Sequence, residues 1–387
     1  MAGSAEGKYL LDVSRLVWRV WRGGLPTGID RVCLAYLERF GDRSRAVVQW
    51  RGLQLVLSTG RSRRLFTLLA TGGTRVRRRM AALLAGAVAG TYRQAVRAET
   101  IYLNVGHTGL NEPALGRWIR ERRLRAIYLV HDLIPITHPQ FCRRGEEGQH
   151  RARMTTVLAT AAGVIGNSQA TLNELARFAE ESGASMPPSV AAWISGNPVV
   201  WTGDPARFER PHFVALGTIE GRKNHALLLE VWKQLVQAHD RTVPILFIVG
   251  RRGWQAEGVF AQLDGLGALH GHVRELGGCS DDELSALVAG ARAVLMPSFA
   301  EGFGLPVIEA LEGGTPVIAS DLAVYHEIAG NVPTYLSPDN PAAWAETVQA
   351  FATDGPERQR QLAAIEGYRA PQWADHFTLV EHWLEGR

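Results

Sequence analysis

The chain has 387 residues, of which 46% are hydrophobic and 21% charged, and its formal net charge is +4. That length predicts two domains and that composition an ordinary globular protein, while so mild a positive charge gives no reason to invoke nucleic acid. No run approaches the roughly 20 apolar residues of a membrane-spanning helix, the first residues lack the apolar stretch of a signal peptide, and the three cysteines, Cys33, Cys142 and Cys279, are far apart and without metal-ligand spacing, so a reducing cytoplasm is the expected compartment.

Short apolar runs alternate with amphipathic helical patterns, the signature of parallel α/β units. In chain order, strands are predicted at Tyr9–Val13, Ala46–Trp50, Ile101–Asn104, Ala126–Val130 and Val164–Gly166, with helices at Ile29–Phe40, Arg151–Ala162 and Gln169–Glu180. The pattern lapses into Gly, Asn, Pro and Asp near 196–211, and a domain boundary is expected there. A second run follows, with strands at Phe213–Leu216, Ile245–Val249, Ala293–Met296 and Pro316–Ala319. Its helices are predicted at His225–Gln237, Asp281–Ala289, Pro306–Glu312 and Pro341–Phe351, and the tail Trp373–Leu384 also reads as helix. The expected division is a first domain at 1–198, a second at 199–365 and a C-terminal helix within 366–387 that returns to the first domain.

The densest chemical signal is Ser298-Phe299-Ala300-Glu301-Gly302-Phe303-Gly304-Leu305-Pro306-Val307-Ile308-Glu309-Ala310. It follows a predicted strand and opens a helix at Pro306, a residue suited to a first turn because its missing N–H would be unpaired there. Glycines in a strand-to-helix turn let backbone amides approach an anion, and the helix dipole adds to the attraction. Glu301 stands at the strand's carboxyl end, where open α/β sheets bind ligands. A carboxylate would repel a diphosphate, so Glu309 is assigned to a neutral diol such as ribose and Glu301 to sugar hydroxyls. The plainer alternative is a glycine-rich turn with two solvated glutamates.

A second strand-to-helix block, Leu216-Gly217-Thr218-Ile219-Glu220-Gly221-Arg222-Lys223-Asn224-His225, places two cations near a helix start. Basic residues are disfavoured at that positive end, so an anionic ligand is the better explanation. An Arg fork and a Lys point charge would neutralise a diphosphate and stabilise a leaving nucleoside diphosphate. Together these blocks resemble the retaining glycosyltransferases of family 4, which have the GT-B fold, over Phe213–Ala329 most specifically. The resemblance implies two Rossmann-like domains facing a central cleft. It implies that Arg222 and Lys223 bind the donor diphosphate, with Gly217 beside them. Glu301 and the amides of Gly302, Phe303, Gly304 and Leu305 would hold the donor sugar and phosphate, Glu309 the ribose, and the segment from Gly271 and Val273 to Leu284 would pass the nucleobase.

Two weaker matches lie in the first half. Leu129-Val130-His131-Asp132-Leu133-Ile134-Pro135 is similar to the His-Asp block of bacterial mannosyl- and surface-polysaccharide glycosyltransferases, which implies His131 near the sugar and Asp132 orienting it or the acceptor. A core histidine satisfied by its neighbour is the alternative. Gly23-Gly24-Leu25-Pro26-Thr27-Gly28-Ile29-Asp30-Arg31-Val32 looks like the family's glycine loop facing the donor phosphate, and Gly28 is the position carried over. Asp30 and Arg31 depart from the commonest version; they would bind acceptor or decorate the helix start. Asn167 and Ser168 follow a strand and would line the cleft, with a helix N-cap the alternative for Ser168.

The expected activity is retaining transfer of a sugar, mannose by the His131-Asp132 resemblance, from a GDP- or UDP-sugar to a hydroxyl of a bacterial surface-glycan or lipid-linked glycan acceptor. No Asp-x-Asp motif appears and no metal is expected. A nucleotide-sugar epimerase or hydrolase of the same architecture, or a non-catalytic donor-binding subunit of a polysaccharide assembly, uses the same residues. Finally, Arg61, Arg63, Arg64, Arg75, Arg77, Arg78, Arg79, Arg93 and Arg97 crowd one segment without an acidic residue, and Val76–Val96 reads as a helix. Such a segment suits peripheral contact with an anionic membrane, binds an anionic acceptor, or belongs to the first domain's fold.

Overall fold

A computed structural model describes residues 7–23, 27–72, 75–88, 96–196, 210–239 and 243–386. The chain divides into two compact units. Unit 1 is Met1–Leu133, Gly148–Ile194 and Trp373–Arg387; unit 2 is Ile134–Glu147 and Ser195–Gln372.

Unit 1 holds a seven-stranded sheet of β1 (Tyr9–Asp12), β2 (Ser44–Trp50), β3 (Leu53–Val56), β4 (Ile101–Asn104), β5 (Arg125–Val130), β6 (Ala161–Gly166) and β7 (Ser189–Ala191). Their order is β3-β2-β1-β4-β5-β6-β7, and only the edge strand β3 pairs antiparallel. Strand order reverses between β1 and β4, so the loops leaving those two strands diverge and open a crevice at their carboxyl ends. Tyr9, Leu10, Leu11, Tyr102, Leu103, Ile127, Leu129 and Val130 are buried, as expected of strands covered on both faces.

The C-terminal helix Trp373–Glu385 belongs to this unit. Phe377 packs edge-on against Tyr36 and Phe40. The Tyr36 hydroxyl lies 2.8 Å from His376 Nε2, while His376 Nδ1 lies 3.1 Å from the Ala192 carbonyl. The carbonyl requires a proton on Nδ1, so Nε2 accepts from the tyrosine and the ring is neutral. Burial lowers its pKa to about 4. At the surface, Glu381 accepts from both Arg39 and Arg43.

Unit 2 is an all-parallel six-stranded sheet of β8 (His212–Leu216), β9 (Ile245–Val249), β10 (Val273–Leu276), β11 (Val294–Met296), β12 (Val317–Ser320) and β13 (Thr334–Leu336). The order β10-β9-β8-β11-β12-β13 again has a single reversal, between β8 and β11. Phe213, Leu246, Ile248, Leu295 and Ile318 pack with Trp232, Trp344 and Phe351 of the covering helices. The helix Asp281–Ala289 starts at a capping box: Ser280 Oγ accepts the Glu283 amide at 3.2 Å and Glu283 accepts the Ser280 amide at 2.9 Å.

Ile134–Glu147 follows β5 directly but groups with unit 2, not with the first domain that the sequence reading assigns it to. Aromatic packing is the reason. Phe141 stacks on Phe299 with ring centroids 5.0 Å apart, and the Arg143 guanidinium lies 4.5 Å over the Trp254 ring. The expected boundary at 198/199 falls outside the described residues, as do Gly24, Leu25, Pro26 and Arg93. The helix predicted at Val76–Val96 is described as Val76–Val88. No helix among the described residues is long and apolar enough to cross a membrane.

Candidate functional site

Unit 2 gathers a cluster of ionisable groups, Glu220, Arg222, Lys223 and Glu301, at the reversal point of its sheet. Gly217 follows β8 with φ at +122°, a conformation that side chains rarely adopt, and the Lys223 ammonium lies 3.7 Å from where a Cβ would stand. Arg222 and Lys223 occupy a 3-10 turn, Gly221–Lys223, and Asn224 breaks it with φ at +54° before the helix His225–His239 begins. Across the reversal, β11 feeds Ser298–Gly304 into the helix Leu305–Glu312. The two loops are tied main chain to main chain, the Phe299 amide donating to the Arg222 carbonyl at 2.8 Å.

Glu301 is the hub. Its side chain is 7% exposed, and its carboxylate receives Arg222 Nη1 on Oε2 at 2.9 Å. Oε1 receives the Lys223 ammonium, and Ser298 Oγ at 2.8 Å. Arg222 also donates to the Ala300 carbonyl at 3.0 Å and pairs with Glu220 Oε1 at 2.7 Å. Burial works to raise the Glu301 pKa. The Arg222 and Lys223 charges, then the hydrogen bonds from Lys223 and Ser298, outweigh it and bring the pKa down to about 2. Burial lowers the Lys223 pKa, and the Glu301 charge opposes that shift. Burial also raises the Glu220 pKa, against the pull of Arg222.

The glycine turn has a steric basis. Gly304 adopts φ +98°, and a Cβ there would stand 2.6 Å from Tyr325 Cε1. Tyr325 is fully buried, so only glycine lets the chain reverse into the helix at that depth. Leu305 opens the helix, with Pro306 in its first turn; Phe303 is buried and Gly302 half-buried. Glu309, one turn in, lies against Gly196, where a Cβ would stand 2.8 Å from its Cγ. Val273 starts β10 with its side chain in the hydrophobic core. The fold therefore brings Gly217, Arg222, Lys223 and Glu301 together, sets residues 302–305 and 309 along the adjoining turn and helix, and leaves the Val273 side chain among the core residues.

In unit 1, His131 directly follows β5, buried, with Nε2 donating to the Val105 carbonyl at 2.8 Å. Burial holds its pKa down to about 4, so it is a neutral imidazole at pH 7. His107, 5.0 Å away centroid to centroid, donates through Nε2 to the Leu129 carbonyl at 2.9 Å, and His150 donates to the Asp132 carbonyl at 3.1 Å. Asn167 Nδ2 donates to the His131 carbonyl at 2.7 Å, and Ser168 is a helix N-cap, accepting the Thr171 amide at 3.0 Å. Gly28 is the first residue of the helix Gly28–Phe40. Asp30 is 3% exposed, accepts the Thr27 amide at 2.8 Å, and pairs with Arg15 Nε at 2.8 Å, so it caps this helix and anchors Arg15.

Sequence reasoning assigned no role to Ser298 and Glu220, although both stand in the blocks it singled out. It passed over His107, which carries no local motif yet adopts φ +57°, a strained conformation for a side chain of that size.

Residues 205–366 match the family model of glycosyl transferases group 1. Among curated proteins, the chain is 37% identical over 153 residues to O-antigen chain mannosyltransferase B of Escherichia coli, covering 39% of each chain. It is 29% identical over 243 residues to the serotype-specific mannosyltransferase WbdA of the same organism, covering 58% of this chain and 29% of WbdA. The chain thus spans well under two thirds of these relatives. Among solved structures, Anabaena HepE in complex with UDP superposes with a TM-score of 0.67 at 16% identity, covering 98% of this chain and 99% of that one. Sucrose-phosphate synthase from Thermosynechococcus elongatus superposes with a TM-score of 0.57 at 16% identity, over 79% and 78% of the two chains. At such identities the likeness establishes the fold, which is the GT-B fold of paired Rossmann-like units.

Proposed function

From a chain whose residues 205–366 carry a glycosyl transferases group 1 domain, we propose a retaining, metal-independent glycosyltransferase that moves mannose from a nucleoside-diphosphate donor to a hydroxyl of a bacterial surface glycan. The carrying observation is the Arg222–Lys223–Glu301 cluster at the reversal point of the unit 2 sheet. Arg222 and Lys223 present guanidinium and ammonium N–H groups to the diphosphate and stabilise the charge that develops as the bond from C1 to the phosphate oxygen breaks. The acceptor oxygen attacks C1 on the face the phosphate leaves, and that phosphate takes the acceptor's proton. Glu301 holds both cations in place and offers its carboxylate edge to the sugar hydroxyls. The Gly302–Leu305 turn approaches the donor phosphate, and Glu309 bonds the ribose. Neutral His131 faces the sugar, with Asp132 beside it. The mannosyltransferase relatives support mannose; GDP is the nucleotide that the His131-Asp132 resemblance implies.

The UDP complex of HepE favours a uridine donor as a second reading. A thermal-shift panel of GDP, UDP and dTDP, each with and without its sugar, separates the two. GDP-mannose is expected to give the largest rise in melting temperature, since a ligand at 100 times its Kd stabilises by about 2.7 kcal/mol. A larger rise with UDP-glucose overturns the guanosine assignment, and no rise with any nucleotide overturns the donor site.

We further propose that unit 1 rests on an anionic membrane surface. Arg61, Arg64 and Arg79 line a cavity of about 610 Å³ between the helices Thr59–Thr71 and Val76–Val88. The second of these helices packs on β3, whose Leu53 is exposed, as is the neighbouring Trp50. Arginines beside exposed apolar side chains suit a headgroup layer. Vesicles containing anionic lipid should float the protein and neutral ones should not; equal, negligible flotation with both removes the membrane role.

A further inference from the structure

Unit 1 has its own cavity, of about 490 Å³, at the carboxyl edge of its sheet. It forms where the loops after β1 and β4 diverge, the reversal point equivalent to the one that carries the Glu301 cluster in unit 2. Its walls include Arg15, Arg19, Arg22 and Arg153, with Asp30 as the one carboxylate among the described residues, and His107. Arg15, Arg19 and Arg22 are spaced i, i+4, i+7 on the helix Ser14–Arg22, so they share one face.

Like charges at that spacing repel. A helix C-terminus tolerates cations, which accounts for Arg19 and Arg22 in the last turn. It does not account for Arg19 Nε, which is buried and has no hydrogen-bond partner among the described residues, an arrangement folded proteins avoid unless an acceptor arrives from outside. Arg15 is already committed to Asp30 at 2.8 Å. One carboxylate among four guanidiniums leaves an excess of positive charge. His107 enters the wall in its strained conformation, the kind of backbone outlier that clusters at ligand sites. The volume falls within the roughly 300–1,000 Å³ of small-molecule sites.

We propose that this cavity binds a phosphate or diphosphate group on the acceptor, with Arg19 and Arg22 as its principal donors. A phosphate group carries more charge than a carboxylate and offers more acceptor oxygens, so it suits several guanidiniums at once. The assignment rests on the glycosyltransferase reading for the word acceptor. The anion site itself stands on unit 1 alone.

Calorimetric titration of inorganic pyrophosphate into the 387-residue protein tests it, using the wild type, Lys223→Met, and the double variants Arg19→Gln/Arg22→Gln and Arg19→Gln/Asp30→Asn. Lys223→Met should retain a pyrophosphate site. Arg19→Gln/Arg22→Gln should bind pyrophosphate about tenfold more weakly or worse, while keeping wild-type affinity for the nucleoside diphosphate. Arg19→Gln/Asp30→Asn keeps Arg22 and frees Arg15 from Asp30, and should bind pyrophosphate more tightly than Arg19→Gln/Arg22→Gln. Unchanged pyrophosphate binding in Arg19→Gln/Arg22→Gln overturns the site. So does an equal loss of nucleoside diphosphate binding in that variant, which would assign the arginines to the donor. Should no nucleoside diphosphate bind the wild type while pyrophosphate binding still depends on Arg19 and Arg22, the donor reading falls and the anion site holds.

Discussion

Glu301→Gln is expected to destabilise the protein by about 3 kcal/mol at pH 7 and to lower sugar transfer at least about a hundredfold. The substitution keeps the shape and a hydrogen-bonding oxygen but removes the charge that Arg222 and Lys223 share. Lys223 is 8% exposed, so water cannot take over as its counterion. Breaking a buried pair by neutralising one member typically costs about 3–5 kcal/mol. Linkage gives a consistent figure: a carboxyl moved from 4.5 to about 2 by folding contributes about 3 kcal/mol. Because the folded value is the lower one, that contribution is complete above pH 4.5 and disappears as the pH falls through 2. Urea unfolding of wild type and variant between pH 7 and pH 2 should therefore show two curves that converge toward the acid end. A constant gap across that range would mean that Glu301 acts through packing. In the same variant the two cations lose their counter-charge, so nucleoside diphosphate binding should persist or tighten while transfer is lost. Loss of nucleotide binding would remove Arg222 and Lys223 from the donor site.

This cluster also marks the limit of what the sequence exposes. Glu301, Gly304 and Pro306 are legible because a strand, a glycine turn and a helix start are local events, as are Gly217 and the Arg222–Lys223 pair. That Glu301 grips both cations is not local: 78 residues separate Lys223 from Glu301, and only the adjacency of β8 and β11 brings them together. The sequence reading therefore gives the cations to the diphosphate and the carboxylate to the sugar, with nothing to indicate that they neutralise one another first. Asp30 shows the converse. Thr27-x-x-Asp30 is a legible cap, yet beside a glycine-loop resemblance it reads as a departure.

The strands follow the same logic. Ile101–Asn104 and Ile245–Val249 appear where expected because both are fully buried and apolar, the first up to its terminal asparagine and the second throughout. β3, β7, β10 and β13 were missed. Each lies at an edge of its sheet, where one side of the strand is open and burial is partial, so the apolar signal is short or interrupted, as in Val273-Arg274-Glu275-Leu276.

Lys223→Met separates the chemistry of the cluster from its role in folding. Methionine replaces the four-atom apolar stem of lysine without the terminal ammonium and suits the buried path between Gly217 and Glu301. Glu301 keeps Arg222 at 2.9 Å and Ser298 at 2.8 Å, so its charge stays paired and the stability loss should be smaller than that of Glu301→Gln. The missing ammonium would matter most when negative charge grows on the leaving phosphate. Losing one such group lowers kcat by about 10²–10³-fold, and where the interaction strengthens only in the transition state KM stays near its wild-type value. Steady-state kinetics with donor varied at saturating acceptor measures both constants; turnover within threefold of wild type would sink the catalytic assignment. The double variant Lys223→Met/Glu301→Gln completes the cycle. Because each residue compensates the other's buried charge, the stability loss of the double variant should fall short of the sum of the single losses by about 1 kcal/mol or more. Transfer should show no such recovery, since the donor still lacks the ammonium. Recovery of transfer together with stability would mean that the pair only holds the loops after β8 and β11 in place, and that Arg222 alone meets the donor.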